Sequence, residues 1–291
     1  MTHRWLQVLC SVLLAGTVSQ LVAQGPVLPP QDKTAVEIFL TASGKHSAPA
    51  TLDQPQLTVT LDKLPAQVTS VRSAKNDKLL FALLVDVSTS NRKDSVSIRK
   101  TASQLFQDLS TGESRGYLVV FDVSASMSKR PLQPSEARNV LEGLQFGGGT
   151  ALFDAIAKTC TTVLSKSGNP DTPRRVILLL SDGDDNQSHT SPQEAVQAAE
   201  REGVSVFSLN TMGPAGVGEH ILAEITARTG GQAIISEKAE KGEMALLAAI
   251  DSQWVLSLVS PPNSNQKLHS FAVKSSQKGI QISAPEQIAL P

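Results

Sequence analysis

Aromatic side chains make up 4% of this 291-residue chain, too few for the stacking platforms that hold single-stranded nucleic acids. Excess charge is missing as well. The 26 basic and 27 acidic residues leave a formal net charge of −1, which excludes a polybasic surface for nucleic acid or anionic lipid. Cysteine is scarce: Cys10 lies in an N-terminal apolar stretch, and Cys160 fits the core face of a helix, where a lone thiol behaves as a small hydrophobe. Once the first is removed, no internal disulfide can form. The sequence also lacks an H-E-x-x-H pair and a P-loop. His46, His189, His220 and His269 are scattered, with no metal-ligand spacing between any two.

What remains is the composition of an ordinary globular protein, 40% hydrophobic and 18% charged, long enough for one large domain and a smaller one. Residues 1–23 read as a signal peptide. His3 and Arg4 precede an apolar stretch from Trp5 to Val22, and Gln7, Ser11, Gly16, Thr17, Ser19 and Gln20 interrupt it too often for a permanent membrane span. Cleavage is expected after Ala23, with Ser19 as the second candidate. Cys10 follows Val8-Leu9 rather than small residues, so it is not a lipid-attachment site. The expected location is secreted, periplasmic or cell-envelope, with no membrane span after signal removal.

Residues 24–33 form a proline-rich linker. Residues 34–76 alternate in the manner of strands, with Val36, Ile38 and Leu40 in one run and Leu57, Val59 and Leu61 in another. From Lys78 to about Ser236 strand and helix patterns alternate. The predicted strand cores are Leu79–Val85, Tyr117–Phe121, Val176–Leu180, Val204–Ser208 and Ala233–Ile235. One-face helical spacing links Ile98, Ala102, Leu105 and Leu109, and again Leu152, Ile156, Cys160 and Val163. Ser191-Pro192-Gln193-Glu194 is a capping box with proline at the first helical position. Ile221, Leu222 and Ile225 mark another helix, closed by Gly230-Gly231. A helical connection covers 237–252. In 253–291 the β pattern returns at Trp254, Leu256 and Leu258, then at Phe271-Val273 and Ile280-Ile282 after a turn at Pro261-Pro262-Asn263. The expected fold class is α/β: a doubly wound, mostly parallel sheet over 78–236, inserted in or flanked by a small β-sandwich-like module in which 253–291 pairs with 34–76.

The chain is organised around Asp86-Val87-Ser88-Thr89-Ser90. The seven apolar residues before it do not alternate, which marks a strand buried on both faces. Where that strand ends, Asp86, Ser88 and Ser90 can be aimed at one point, and three converging oxygens suit a hard divalent cation. The alternative is a serine-rich turn in which Ser90 or Asn91 caps the next helix. Two more stretches join the first. Gly147-Gly148-Gly149-Thr150 precedes a helix, and Ser181-Asp182-Gly183 follows the strand Val176–Leu180. In a doubly wound sheet the strands that carry Asp86 and Asp182 are neighbours at the point where strand order reverses, the usual ligand crevice.

Asp86-x-Ser88-x-Ser90, Thr150 and Asp182, in that order, resemble the metal-ion-dependent adhesion site (MIDAS) of von Willebrand factor type A domains. Spacings of 64 and 32 residues between the three parts match the family, as do Phe146-Gly147-Gly148-Gly149-Thr150-Ala151-Leu152-Phe153-Asp154-Ala155-Ile156 and Leu178-Leu179-Leu180-Ser181-Asp182-Gly183. The flanks resemble bacterial exported proteins related to this domain, with Trp254-Val255-Leu256-Ser257-Leu258-Val259-Ser260-Pro261-Pro262 where that group tends to carry a tyrosine. The resemblance implies that Ser88, Ser90 and Thr150 ligate an ion through their hydroxyls while Asp86 and Asp182 act through water. Magnesium is the implied ion, with manganese or calcium as alternatives. The implied function is adhesion-type: an exported, non-enzymatic module whose cation bridges to an exposed Asp or Glu of a protein ligand. The alternatives are an interaction protein that works through its β flanks around a merely structural ion, and a magnesium-dependent hydrolase using Asp86. Against the last, none of the three site segments contains lysine or arginine to hold a phosphate.

Asp122-Val123-Ser124-Ala125-Ser126 repeats the lead pattern but lies 28 residues from Thr150 with no long helix directly after it, and reads as a loop off the second strand. Asp182-Gly183-Asp184-Asp185-Asn186 is not an EF-hand loop, since Gln187 and Gln193 occupy the glycine and glutamate positions. Asp184 and Asp185 read as a solvated acidic turn or as outer support for the site. Gly213, Gly216 and Gly218 are loop glycines in the wrong order for a dinucleotide fingerprint. The helix around Gly242–Asp251 is expected to couple ion occupancy to the β module.

Overall fold

The computed structural model describes residues 35–44, 50–169, 171, 174–210, 217–260 and 267–290. The signal peptide, the proline-rich linker, His46, Gly213, Gly216 and the Pro261-Pro262-Asn263 turn lie outside them. The strands are β1 (Ala35–Ser43), β2 (Leu57–Leu61), β3 (Leu64–Pro65), β4 (Val68–Ser73), β5 (Leu79–Asp86), β6 (Arg115–Phe121), β7 (Ala125–Met127), β8 (Arg174–Leu180), β9 (Val204–Asn210), β10 (Ala233–Ile235), β11 (Gln253–Val259), β12 (Leu268–Ser275), β13 (Gln281–Ser283) and β14 (Gln287–Ala289). The helices are α1 (Ser95–Leu109), α2 (Pro134–Glu142), α3 (Leu152–Thr161), α4 (Pro192–Glu202), α5 (Val217–Arg228) and α6 (Ala239–Asp251).

The central sheet has strand order β10-β9-β8-β5-β6-β7, parallel except for the β6–β7 hairpin. Every residue of β5 is buried, and successive residues serve opposite faces. Leu79, Phe81, Leu83 and Val85 pack with Ile98, Leu105 and Phe106 of α1, Leu141 of α2 and Leu246 of α6. Leu80, Ala82 and Leu84 pack with Leu152, Ile156 and Cys160 of α3, Val196 of α4 and Leu222 of α5. Two full cores explain the unbroken apolar run, because neither face meets water. Cys160 is fully buried within the second core, and burial pushes its thiol far above the ordinary range, so it is inert.

Local chemistry sets the helix ends. In α4 the Ser191 hydroxyl accepts from Glu194 N–H at 3.3 Å, and Glu194 Oε2 accepts from Ser191 N–H at 2.8 Å. Gly203, at φ +63°, then ends the helix in the left-handed region.

The flanking segments interleave. One antiparallel sheet has the order β13-β1-β11-β4 and the other β14-β12-β2-β3, so each mixes strands from before and after the α/β portion. Between them lies one core of Ile38, Leu40, Val59, Leu256, Leu258, Phe271 and Ile288. Fully burying each such side chain contributes roughly 1.5–3 kcal/mol, which neither flank has the partners to realise alone. Arg174, at the start of β8, ties the two parts together. Its buried guanidinium donates to Ala74 O at 2.8 Å, Ile250 O at 2.7 Å and Gln253 Oε1 at 3.1 Å.

Candidate metal centre

β5 and β8 run side by side in parallel, Leu79 opposite Arg174 through Val85 opposite Leu180, so Asp86 and Ser181 leave the sheet together at its carboxyl edge. Strand order reverses between them, since the chain continues from β5 to β6 on one side and returns to β8 on the other.

Asp86 is fully buried. Its Oδ1 accepts from Ser88 N–H at 2.9 Å and its Oδ2 from the Ser181 hydroxyl at 2.7 Å. Burial pushes the Asp86 carboxyl up; the Ser88 and Ser181 bonds pull the other way, and nearby Asp182 adds to the rise. Ser88 is buried, Ser90 is exposed, and their hydroxyl oxygens lie 3.1 Å apart. Neither Ser90 nor Asn91 caps a helix by its side chain. Ser90 opens a short 3-10 turn, Asp94 precedes α1, and the buried Asn91 amide donates to Ser88 Oγ at 3.3 Å. The turn therefore holds hydroxyls in place rather than starting a helix.

The glycine segment is stitched to this turn. Gly147 N–H donates to Val87 O at 2.7 Å, and Gly148 O accepts from both the N–H and the hydroxyl of Thr89. Gly148 sits at φ +83°. A side chain at Gly149 would meet Gln187 and Asn186 at under 3 Å, so only glycine allows that approach. Thr150 is buried, its N–H donates to Asn186 Oδ1 at 3.0 Å, and its carbonyl accepts from the N–H groups of Asn186 and Gln187. Asp182 is half-buried beside Ser181, with its Oδ1 accepting from Asp184 N–H at 3.2 Å. The three segments thus meet at one crevice: Asp86, Ser88 and Ser90 through direct bonds, Thr150 through the stitched loops, and Asp182 through its field on Asp86.

One supporting residue escaped the sequence reading, and a second takes the supporting role that was one of its two readings. Ser181, rather than Asp182, is the direct partner of Asp86. Asp185 is not merely a solvated acid: its Oδ2 accepts from Leu152 N–H at 2.7 Å, from Phe153 N–H at 3.3 Å and from the Ser188 hydroxyl at 2.6 Å. It caps α3 from a distance. The signal was Ala151, which stands at the N-cap of α3 and has no side-chain acceptor, so the first N–H groups had to find one elsewhere. Asp154 in that first turn accepts from His189 N–H and Thr190 N–H, and these bonds overcome its burial and hold its carboxyl down at about 2. Asp184 is exposed, as expected of a solvated turn.

The second Asp-x-Ser-x-Ser pattern forms no part of this crevice floor. Residues 122–124 are the loop off β6, as expected, and Ala125-Ser126 begins the short returning arm β7, with Asp122 Oδ1 accepting from Ser124 N–H at 3.1 Å. The Asp122 carbonyl accepts from Ala151 N–H at 2.6 Å, so it braces the glycine segment from the side.

No group of three or more His, Cys, Asp or Glu among the described residues could hold a metal. A cation in this crevice would rest on hydroxyls and two carboxylates, a hard-oxygen set that fits magnesium-like ions, and added positive charge would offset the burial of Asp86 and the nearby charge of Asp182.

The family model described as von Willebrand factor type A domain matches residues 81–246. None of the curated proteins matches the chain. Among solved structures, a von Willebrand factor type A protein from Catenulispora acidiphila superposes with a TM-score of 0.52 at 11% identity, over 87% of this chain and 72% of that one. Proximal thread matrix protein 1 from the mussel byssus superposes with a TM-score of 0.51 at 16% identity, over 64% of this chain and 49% of that one. A further structure of the mussel protein, described as having a zinc-occupied MIDAS motif, gives 0.51 at 14% identity, over 64% and 48%. This chain therefore spans about half the length of the mussel protein. At these identities the likeness is one of fold.

Proposed function

Because the chain belongs to the von Willebrand factor type A domain family, we propose that it is an exported, non-enzymatic binding protein that captures an acidic side chain of a partner protein through a divalent cation. Asp86, Ser88, Ser90, Thr150 and Asp182 would hold the ion. The observation that carries this reading is the Asp86 carboxylate, wholly buried and bonded to Ser88 and Ser181, with burial the largest influence on it and Asp182 adding negative charge nearby. A buried charge of this kind costs several kcal/mol unless something compensates it, and folds retain such costs where they serve a function.

Magnesium, when bound, supplies concentrated positive charge and an open position for a carboxylate oxygen. The chain's own residues do the rest. Ser181 and the Ser88 amide fix the Asp86 carboxyl at the base of the crevice. Exposed Ser90 places a hydroxyl at the mouth, and Asn186 and Gln187 set the Thr150 backbone. With few carboxylates in the set, the ion stays electron-poor and favours an acidic ligand from outside. Export rests on the signal-peptide pattern of residues 1–23. No helix among the described residues is long and apolar enough to cross a membrane.

The test is calorimetric titration of magnesium into the full chain beside Asp86→Ala and Asp122→Ala. Heat of binding in the parent and in Asp122→Ala, lost in Asp86→Ala, is the expected result. No binding in the parent, or equal binding in all three, would refute the reading.

A further inference from the structure

A cavity lies at the opposite end of the central sheet, where the β module meets the α/β portion. β11 pairs with one edge of β1 along Ala35–Thr41. On the other edge, β13 pairs with Thr41–Ser43 and stops. Among the described residues no strand continues along that edge from Ala35 to Leu40. Five residues of this stretch, Ala35 to Phe39, form one wall of a cavity of about 890 Å³, within the range of ligand sites. The facing wall is the C-terminal turn of α4, with Lys166 and Arg175, and β14 forms a third side. The far end is closed at Phe39, whose carbonyl packs against Gly230. The near end is open, with Ala35 and Glu37 exposed.

An unpaired strand edge presents a row of N–H and C=O groups that natural proteins usually cover or break, and here the edge looks into a cavity instead. One further group points the same way. Glu200, 3% exposed, lines the cavity; its Oε1 accepts from Gln287 N–H at 3.0 Å, while its buried Oε2 has no hydrogen-bond partner among the described residues. Buried polar atoms are nearly always paired, so this oxygen implies a hydrogen-bond partner that arrives with a ligand.

We propose that this cleft binds an extended peptide of a partner protein as an added strand on β1, continuing the line of β13, with a peptide backbone group hydrogen-bonded to Glu200 Oε2. Five residues of strand span about 17 Å, which matches Ala35–Phe39 with ladder bonds along the edge. Lys166 on the facing wall suits a carbonyl-rich backbone. The cleft opens at the first residues of β8 and β9, about 20 Å of strand from Asp86, so it stands independently of the metal reading.

The experiment titrates a fluorescein-labelled octapeptide of alternating valine and threonine into the full chain and follows anisotropy and amide hydrogen exchange. Saturable binding with at least tenfold slower exchange at amides of Ala35–Phe39 is expected. Glu200→Leu should weaken binding about tenfold, and Ala289→Trp, which fills the cavity from β14, should abolish it without changing magnesium titration. Ser167→Trp at the exposed rim replaces Ala289→Trp where the latter fails to fold. No saturable binding up to millimolar peptide, or binding without protection at those amides, overturns the proposal. So does a concentration-dependent dimer that protects the same amides, which would assign the edge to a second copy of the chain.

Discussion

Replacing Asp86 with Asn should make the metal-free protein more stable and the magnesium-loaded protein less so. The carboxylate is fully buried, and the effective penalty for placing such an ion in a protein interior is several kcal/mol. Two hydrogen bonds to it, from Ser88 N–H at 2.9 Å and the Ser181 hydroxyl at 2.7 Å, each return about 1.5–3 kcal/mol, and Asp182 nearby takes part of that back. The balance is unfavourable, as the upward push on the carboxyl shows. Asn has the same shape and can keep the Ser88 bond through its carbonyl while its amide meets Ser181 Oγ, so it sheds the charge without leaving a hole. In EDTA the variant should gain about 1–2 kcal/mol in urea unfolding at neutral pH. At magnesium about 100-fold above its dissociation constant the parent gains about 2.7 kcal/mol by mass action, and Asp86→Asn gains almost nothing, so the order of stability reverses. A variant less stable than the parent in EDTA, or one stabilised equally by magnesium, would sink the argument that Asp86 is strained for the sake of an ion.

Three further outcomes follow from the same geometry. Ser181→Ala removes the donor to Asp86 Oδ2 and the acceptor of Gly183 N–H, and should cost about 3 kcal/mol in EDTA by urea unfolding, with weaker magnesium binding by calorimetry. Burial raises the Glu200 carboxyl to about 7, so the folded state keeps a proton that the unfolded chain loses near 4.5; stability therefore falls as pH rises from about 4.5 to 7. Glu200→Gln should flatten that fall by roughly 2 kcal/mol at pH 8, with allowance for solvent in the cavity, and leave pH 4 stability unchanged when unfolding is followed across the range. Magnesium should alter amide exchange in α6, which packs on α1 below the Ser90 turn and whose end is held by Arg174; unchanged exchange there would disconnect the ion from the β module.

The parts of this fold that the sequence made legible are those where one physical requirement acts along a contiguous stretch. β5 buries both faces and so reads as an unbroken apolar run, while β2 buries Val59 on one face and alternates. Asp86, Ser88 and Ser90 share five residues, and their spacing alone announces convergence. What stayed illegible was settled between distant stretches. Nothing near Asp185 tells it from Asp184, because its task is set by Ala151, which left α3 without a cap. Nothing near Ser181 tells it that Asp86 will lie one strand away, since only the β5–β8 register puts them together. The same reasoning explains the Asp122 repeat. Its Asp-x-Ser-x-Ser spacing equals that of the lead motif, but it follows β6, which has only the short arm of β7 beyond it. A hairpin there turns the chain straight back, so Ser124 and Ser126 serve the ladder and the bend rather than a crevice. The same Asp-Val-Ser-x-Ser pattern yields a candidate site at the switch point and a brace at the sheet edge. The chemistry of such a motif therefore belongs to its place in the strand order, and it is at the switch point that mutation should reveal it.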